Sequence, residues 1–157
     1  MKFADFIRTD AICPDLQATD KPGVIREMVE SLRDAGEIED DDVEDIIQAI
    51  LNREELGSTG IGRGVAVPHT KHPRVRQPIG TVGISRKGVD FKALDGDVVY
   101  LFFLLVSPKD RPGDHLLALE NISLQVRDDM FCRFLKQAET VGAVKELLEE
   151  TDAKQAR

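Results

Sequence analysis

Cysteine is scarce in this sequence, and its spacing excludes a disulfide framework. The 157 residues include two cysteines, Cys13 and Cys132, which form no Cys-x-x-Cys motif. Small secreted domains that depend on disulfides carry more cysteines at closer spacing. The N-terminus also lacks the pattern of a secretory signal, because Asp5 lies where such a peptide would be apolar. We therefore expect a cytoplasmic protein with two reduced thiols.

Long hydrophobic runs, internal repeats and low-complexity tracts are absent as well. The longest apolar run, residues 98–106, is far shorter than the roughly 20 residues that a membrane-spanning helix needs. The length fits one domain, since domains commonly have about 100–150 residues. Hydrophobic residues make up 41% of the chain and charged residues 32%, which is enough apolar material for a packed core.

Positive charge is in deficit. The chain has 21 Lys and Arg residues against 29 Asp and Glu residues, so its formal net charge is −8. This balance argues against a nucleic-acid partner, because binding to a phosphate backbone needs clustered Lys and Arg. An acidic surface instead keeps the chain soluble or suits a basic protein partner. The acidic residues 39–42 need no functional explanation, since acids are favoured at the start of a helix.

The first third of the chain has the apolar spacing of two helices. Thr19 or Asp20 is a suitable N-cap for the first helix, Pro22 fits its first turn, and Gly36 ends it. The second helix follows the acidic residues. Its predicted apolar face consists of Val43, Ile46, Ile47, Ile50 and Leu51.

The remaining two thirds predict strands followed by helices. Residues 65–67, 79–85 and 98–106 predict strands, and the last is apolar enough to be buried on both faces. Together with helices before and after them, these strands predict an α/β single domain. Its mixed β-sheet is expected to be flanked by α-helices on both faces.

Three features define the predicted helices of the last third. Asp114 is a suitable N-cap for the first, whose apolar stripe is predicted to be Leu116, Leu119, Ile122, Leu124 and Val126. Residues 130–135 predict a short helix or turn, and Thr140 is a suitable cap for a final helix. We expect the polar tail from Asp152 onward to fray.

The richest segment for function is the glycine-rich stretch from Arg53 to Lys71. Four glycines in the eight residues 57–64 let the backbone approach a ligand closely. The hydroxyls of Ser58 and Thr59, with nearby backbone N–H groups, could hold an anion such as phosphate. The segment matches neither a P-loop nor a dinucleotide-binding motif. On its residues alone, it could equally be a glycine-rich turn that enters a strand.

Three histidines are candidates for chemistry. His69 follows Pro68 at the end of a short strand, which is a rigid base for aiming a side chain at solvent. His115 opens a helix, where free N–H groups suit an anion and the helix dipole disfavours a charged imidazole. Each could also be an ordinary structural or exposed residue. We interpret His72 as an exposed loop residue, because it precedes Pro73 and lies among basic residues. A metal site with His69 is disfavoured, because no nearby residue completes the ligand set.

A series of residues through the middle and end of the chain is typical of one protein family. In order, it comprises Arg53, Gly57, Ser58, Thr59, Gly60, Ile61, Gly62, Gly64, Pro68, His69, Pro108, His115, Leu116 and Leu119. This series closely resembles the type-2 EIIA domain of the bacterial phosphoenolpyruvate:sugar phosphotransferase system (PTS). That is the fructose–mannitol family, which includes the nitrogen-regulatory EIIA. The likeness covers residues 3–150 and leaves residues 151–157 as a polar tail.

The resemblance implies a phosphotransferase that carries a phosphoryl group on a histidine. It implies that His69 is phosphorylated, that His115 is the second active-site histidine, and that Arg53 is the active-site arginine. It implies an HPr-type phosphocarrier as donor, or its nitrogen-branch counterpart. No metal or other cofactor is expected, because the phosphoryl group arrives on one protein and leaves to another. Thr70 replaces a glycine found in many members, which could alter the transfer rate or partner choice.

Two versions of this function compete. The chain holds no EIIB, HPr-like or membrane segment, so we favour a stand-alone regulatory EIIA with little chain left for a second function. The alternative is a sugar-specific, fructose- or mannitol-type EIIA that passes phosphate to an EIIB. A non-catalytic binding module on the same fold is the second alternative, and a metal- or serine-dependent hydrolase is disfavoured.

We expect five basic residues to mark the active face, namely Arg53, Arg63, Lys71, Arg74 and Arg76.

Overall fold

The computed structural model describes residues 1–155, which form an α/β domain. Two longer helices precede a sheet and three follow it, and one short helix lies near the N-terminus. The helices are α1 (Phe3–Phe6), α2 (Lys21–Asp34), α3 (Val43–Glu55), α4 (Pro112–Gln125), α5 (Asp129–Gln137) and α6 (Val141–Gln155). The strands are β1 (Gly60–Gly62), β2 (Val65–Ala66), β3 (His69–His72), β4 (Ile79–Val89) and β5 (Val99–Pro108).

Strand β5 is the centre of the sheet, as its continuous apolar run predicts. β2 and β3 both pair with it in parallel, one after the other along the same edge, while β4 pairs with it antiparallel on the other edge. β1 adds to β2 as an antiparallel strand. The sheet is therefore mixed, as predicted, and Pro68 interrupts what would otherwise be one strand through β2 and β3.

Helices cover both faces of this sheet. Alternate residues of β5 contribute to opposite cores, because successive side chains of a strand point to opposite faces. Phe102 and Leu104 pack in the core that α2 and α3 complete. Phe103 and Leu105 pack in the core that α1, α4, α5 and α6 complete. The predicted arrangement of a mixed sheet between two helical layers is confirmed.

Two of the three predicted caps are confirmed. The Asp20 carboxylate accepts a hydrogen bond from the Gly23 N–H at 2.8 Å and caps α2. The Thr140 hydroxyl accepts from the Ala143 N–H at 3.1 Å at the start of α6. The prediction for Asp114 is wrong, because α4 already begins at Pro112 and Asp114 lies within its first turn. Proline is favoured in a helix's first turn, where its missing N–H has no partner to lose.

The predicted apolar stripe of α4 is only partly correct, because Ile122 and Val126 are buried and Leu119 packs against the same core, but the two other leucines do not. Leu116 and Leu124 are each 56% exposed, whereas the buried residues of the helix are His115, Ala118, Asn121 and Ile122. The helix carries more apolar residues than its buried face can hold. His115 and Asn121 are buried although both are polar and neither belonged to the predicted stripe.

The C-terminal segment is better ordered than expected. Asp152 lies within α6 and is buried, and its carboxylate accepts hydrogen bonds from the Phe3 N–H at 2.8 Å and the Ala4 N–H at 2.9 Å. The expectation of fraying is therefore wrong for residues 152–155, because a buried carboxylate ties them to the start of α1. Residues 156 and 157 of the predicted tail lie outside the described residues.

Candidate active site

The fold brings together His69, which lies in β3, and His115, which lies in the helix after the last strand. His69 is the first residue of β3 and pairs with Leu105 in β5, and His115 lies in the first turn of α4. Their ring centroids are 5.5 Å apart, with the ring planes inclined at 50°. Two histidines that are 46 positions apart in the sequence therefore form one site.

The hydrogen bond of His69 determines which ring nitrogen carries its proton. Nδ1 lies 2.7 Å from the Val67 carbonyl oxygen. A carbonyl only accepts, so Nδ1 holds the proton and the lone pair is on Nε2. Burial lowers the pKa of His69 below its ordinary value, and the charges of Arg53 and Lys71 lower it further against the effect of the Val67 bond. The ring is therefore neutral and nucleophilic at neutral pH.

His115 is buried beside it and is also neutral. Its Nδ1 lies 2.6 Å from the Ser107 hydroxyl of β5. Burial is the main cause that lowers the pKa of His115 to about 4, and a positive charge on His69, when that ring is protonated, and the charge of Lys71 act in the same direction. The sequence predicted a neutral His115 from the helix dipole, but desolvation is the larger cause in the structure.

Arg53 lies in the last turn of α3, at the start of the glycine-rich loop. Its Nη1 donates to the Gly57 carbonyl at 2.9 Å, which is the one hydrogen bond of this guanidinium within residues 1–155. Its charge acts on the pKa of His69, so it lies within electrostatic range of that ring. A guanidinium with further N–H groups beside a nucleophile can bind phosphoryl oxygens.

Ser58 and Thr59 lie in the loop, but their hydroxyls bind the protein itself. The Ser58 hydroxyl donates to the Phe91 carbonyl at 3.2 Å and accepts from the Gly60 N–H at 3.0 Å. Thr59 is buried, and its hydroxyl donates to the Glu54 carboxylate. Both hydroxyl groups therefore donate to acceptors within the protein, and neither has a free hydrogen with which to hold an anion as predicted.

Sequence reasoning missed Glu54, which holds the loop in place. Its side chain is only 2% exposed, forms an ion pair with Lys21 of α2 at 2.9 Å, and accepts from the Thr59 N–H at 3.2 Å. The Thr59 carbonyl in turn accepts from the N–H of Val67, at 3.0 Å, and the Val67 carbonyl binds His69. In the sequence, Glu54 is one acid in a charged helical run, and nothing there distinguishes it from Glu55.

The interpretation of His72 as an exposed loop residue is wrong. His72 ends β3 and is only 4% exposed, with Nε2 lying 2.6 Å from an Asp45 carboxylate oxygen and Nδ1 accepting from the Arg74 N–H at 3.2 Å. It faces α3, because an offset of three residues along a strand places it on the opposite face from His69. Among residues 1–155, no group of three or more His, Cys, Asp and Glu side chains is arranged to hold a metal ion.

Of the five basic residues predicted to mark the active face, two act on His69. Arg53 and Lys71 act electrostatically on His69. Arg63 instead pairs with Asp129, and Arg74 pairs with Asp42 at 3.4 Å. Arg76 lines a surface cavity with Arg74, and the acids of that cavity are Glu37, Glu39 and Asp42. The positive charge near the histidines therefore comes from α3 and β3.

Thr70 lies between His69 and Lys71 on β3 and is half-buried. Its hydroxyl lies 3.4 Å from the Lys71 carbonyl oxygen, which leaves the hydroxyl weakly held beside the site.

No helix within residues 1–155 is long and apolar enough to span a membrane.

The sequence of the chain is similar to those of known proteins. The family model described as "Phosphoenolpyruvate-dependent sugar phosphotransferase system, EIIA 2" matches residues 5–151. The chain is 31% identical over 148 residues to the nitrogen regulatory protein of Bradyrhizobium diazoefficiens, covering 94% of this chain and 95% of that protein. It is 34% identical over 152 residues to the fructose-specific EIIABC component of Bacillus subtilis, covering 97% of this chain but 24% of that protein.

A solved structure shows the same fold. The nitrogen regulatory protein IIA-Ntr from Neisseria meningitidis superposes with a TM-score of 0.82 at 29% identity, covering 93% of this chain and 98% of that one. The chain spans about a quarter of the B. subtilis component, yet nearly the whole of both nitrogen-regulatory proteins. The chain therefore belongs to the type-2 EIIA family of the phosphoenolpyruvate-dependent sugar phosphotransferase system.

Proposed function

We propose that the chain carries a phosphoryl group on Nε2 of His69, which it accepts from one protein and passes to another. The observation that supports this most directly is the 2.7 Å contact between His69 Nδ1 and the Val67 carbonyl. It leaves the Nε2 lone pair available for attack. The lowered pKa of His69 keeps that lone pair unprotonated at neutral pH.

The transfer is a displacement at phosphorus. The Nε2 electron pair forms a new N–P bond while the N–P bond to a histidine of the donor breaks, and that electron pair returns to the donor nitrogen. The proton on Nδ1 stays on His69, where the Val67 carbonyl stabilises the positive charge that the ring gains. Arg53 binds oxygens of the transferring group, and Lys71 adds positive charge nearby.

We propose an HPr-type phosphocarrier, or its nitrogen-branch counterpart, as the donor, and a cytoplasmic location. Both cysteines of the chain are free thiols, which fits a reducing compartment. The end-to-end match with proteins named nitrogen regulatory supports a regulatory EIIA whose phosphorylation state sets its binding partners. The identity to a fructose-specific component supports the alternative, which is transfer to an EIIB during sugar uptake.

Phosphorylation by purified PTS components tests the carrier role. Incubation with phosphoenolpyruvate, enzyme I and an HPr-type protein is expected to add one acid-labile, base-stable phosphate to the wild-type chain. His69→Ala should remove this label. His72→Gln is the matched control and should keep it, because His72 lies on the other face of the sheet. If no label appears on the wild type with any such donor, the carrier proposal is wrong.

A second measurement separates the two versions of the function. The phosphorylated chain is mixed with a purified fructose-type EIIB, and loss of the histidine phosphate is followed with time. A half-life close to that without EIIB supports the regulatory version. Rapid transfer of the phosphate to EIIB would overturn it in favour of sugar uptake.

A further inference from the structure

Ser107 carries a buried hydroxyl that the proposed transfer does not by itself explain. It lies near the end of β5, pairs across the strands with Lys71 of β3, and has no exposed surface. Its hydroxyl is 2.6 Å from His115 Nδ1. Within residues 1–155 this is the only hydrogen bond that the hydroxyl makes.

The direction of this hydrogen bond follows from what each atom can do. A buried hydroxyl hydrogen needs an acceptor, since a buried donor without one loses its hydrogen bonds to water and gains none in the protein. The acceptor within reach is His115 Nδ1. If Nδ1 carried a proton, the hydroxyl oxygen would accept it, and the buried hydroxyl hydrogen would have no acceptor among residues 1–155. The bond therefore runs from the Ser107 hydroxyl to an unprotonated Nδ1.

We infer that Ser107 is a positioning residue, which holds His115 in the tautomer whose proton is on Nε2. This inference rests on the proposed phosphoryl transfer at His69. With Nδ1 bound to Ser107, any hydrogen bond from His115 to a phosphoryl group on His69 must come from Nε2. In the opposite tautomer, Nε2 would present a lone pair to the negative phosphoryl oxygens and repel them.

The two histidines are thus held in opposite tautomers by opposite kinds of partner. A carbonyl that can only accept keeps the proton of His69 on Nδ1 and frees its Nε2 for attack. A hydroxyl that donates keeps the proton of His115 on Nε2 and makes that atom a donor. With ring centroids 5.5 Å apart, nucleophile and hydrogen-bond donor lie side by side before any phosphoryl group arrives.

Nitrogen-detected NMR of the unphosphorylated chain tests the tautomer directly. The wild type is expected to show His115 with Nε2–H and an unprotonated Nδ1, and Ser107→Ala is expected to show a mixture of both tautomers. Ser85→Ala is the matched control, because Ser85 is also a buried strand serine but its hydroxyl accepts from the Gly88 N–H, at 3.0 Å. A wild-type His115 with Nδ1–H would overturn the inference, whatever the variants do.

Kinetics test whether the tautomer matters for transfer. Phosphoryl transfer through His69 is expected to be about tenfold slower in Ser107→Ala, the scale of one lost hydrogen bond, and unchanged in Ser85→Ala. Ser107→Thr and Ser107→Cys keep a donor, and at least one of them should recover most of the rate. An unphosphorylated wild type would refute the proposed function itself. A labelled wild type whose Ser107→Ala variant keeps both rate and tautomer would refute only the role of Ser107.

Discussion

At the scale of single residues, burial lowers the pKa of both histidines, and each ring has one hydrogen-bond partner at Nδ1. The sequence placed both on short motifs, after a proline and at the start of a helix. The structure adds a carbonyl at 2.7 Å for His69 and a hydroxyl at 2.6 Å for His115. These partners come from positions 67 and 107, and the second is eight residues away, which is why no local motif reveals it.

Acid should destabilise the fold through His115. Its folded pKa is about 4, whereas an unfolded histidine titrates at about 6.5, so the unfolded chain binds more protons between these values. The stability that neutral His115 contributes is therefore complete above about pH 6.5 and is lost as the pH falls toward about 4. Urea unfolding at about pH 7 and about pH 5 should show a larger loss for the wild type than for His115→Gln. Equal losses in both chains would contradict this assignment.

At the scale of elements, the sequence predicted what hydrophobic patterning controls. The continuous apolar run of β5 correctly indicated a central strand, and the 3.6-residue spacing correctly indicated α2 and α3. It missed β3, because His-Thr-Lys-His has no alternating apolar pattern and forms a strand through backbone pairing with β5. Its stripe for α4 included the exposed Leu116 and Leu124 and omitted the buried His115, whose side chain contacts Ser107. Contacts between distant polar groups leave no periodic signal in a sequence.

The loop that connects Arg53 to His69 should depend on Glu54. Its buried carboxylate joins Lys21 of α2 to the backbone of Thr59, so Glu54→Gln weakens an ion pair and several charge-assisted hydrogen bonds at once. We expect a loss of about 1–3 kcal/mol in the free energy of unfolding and slower phosphorylation of His69.

Urea denaturation and the phosphorylation assay measure these two effects. Glu55→Gln is the matched control, because Glu55 is the exposed neighbour of Glu54 on the same helix and should change neither quantity. If Glu54→Gln unfolds at the wild-type urea concentration, the carboxylate does not stabilise the loop.

At the scale of the whole molecule, the net charge of −8 describes the solvated helices more than the site. Arg63 and Arg74 are paired with acids, while Arg53 and Lys71 give the histidine pair its local positive charge. A partner that approaches this face therefore encounters a potential that the composition alone does not indicate.

The two ends of the chain are joined through Asp152, and this joint should contribute to stability. Its buried carboxylate accepts from the Phe3 and Ala4 N–H groups, which places Phe3 against the ring of Phe103 in β5, with centroids 5.9 Å apart. Asp152→Ala would leave these helix N–H groups unpaired, and we expect a loss of about 1–3 kcal/mol in the free energy of unfolding.

Urea unfolding of Asp152→Ala beside Glu150→Ala measures that contribution, since Glu150 is an exposed carboxylate two residues earlier on α6. Glu150→Ala should lie within about 0.5 kcal/mol of the wild type, as surface substitutions usually do. Because Asp152 is joined to α1 and not to the loop before His69, Asp152→Ala should accept phosphate at the wild-type rate under conditions where it remains folded. A normal unfolding midpoint with slowed phosphorylation would contradict the stabilising role of Asp152. It would instead indicate that α6 contributes to phosphoryl transfer.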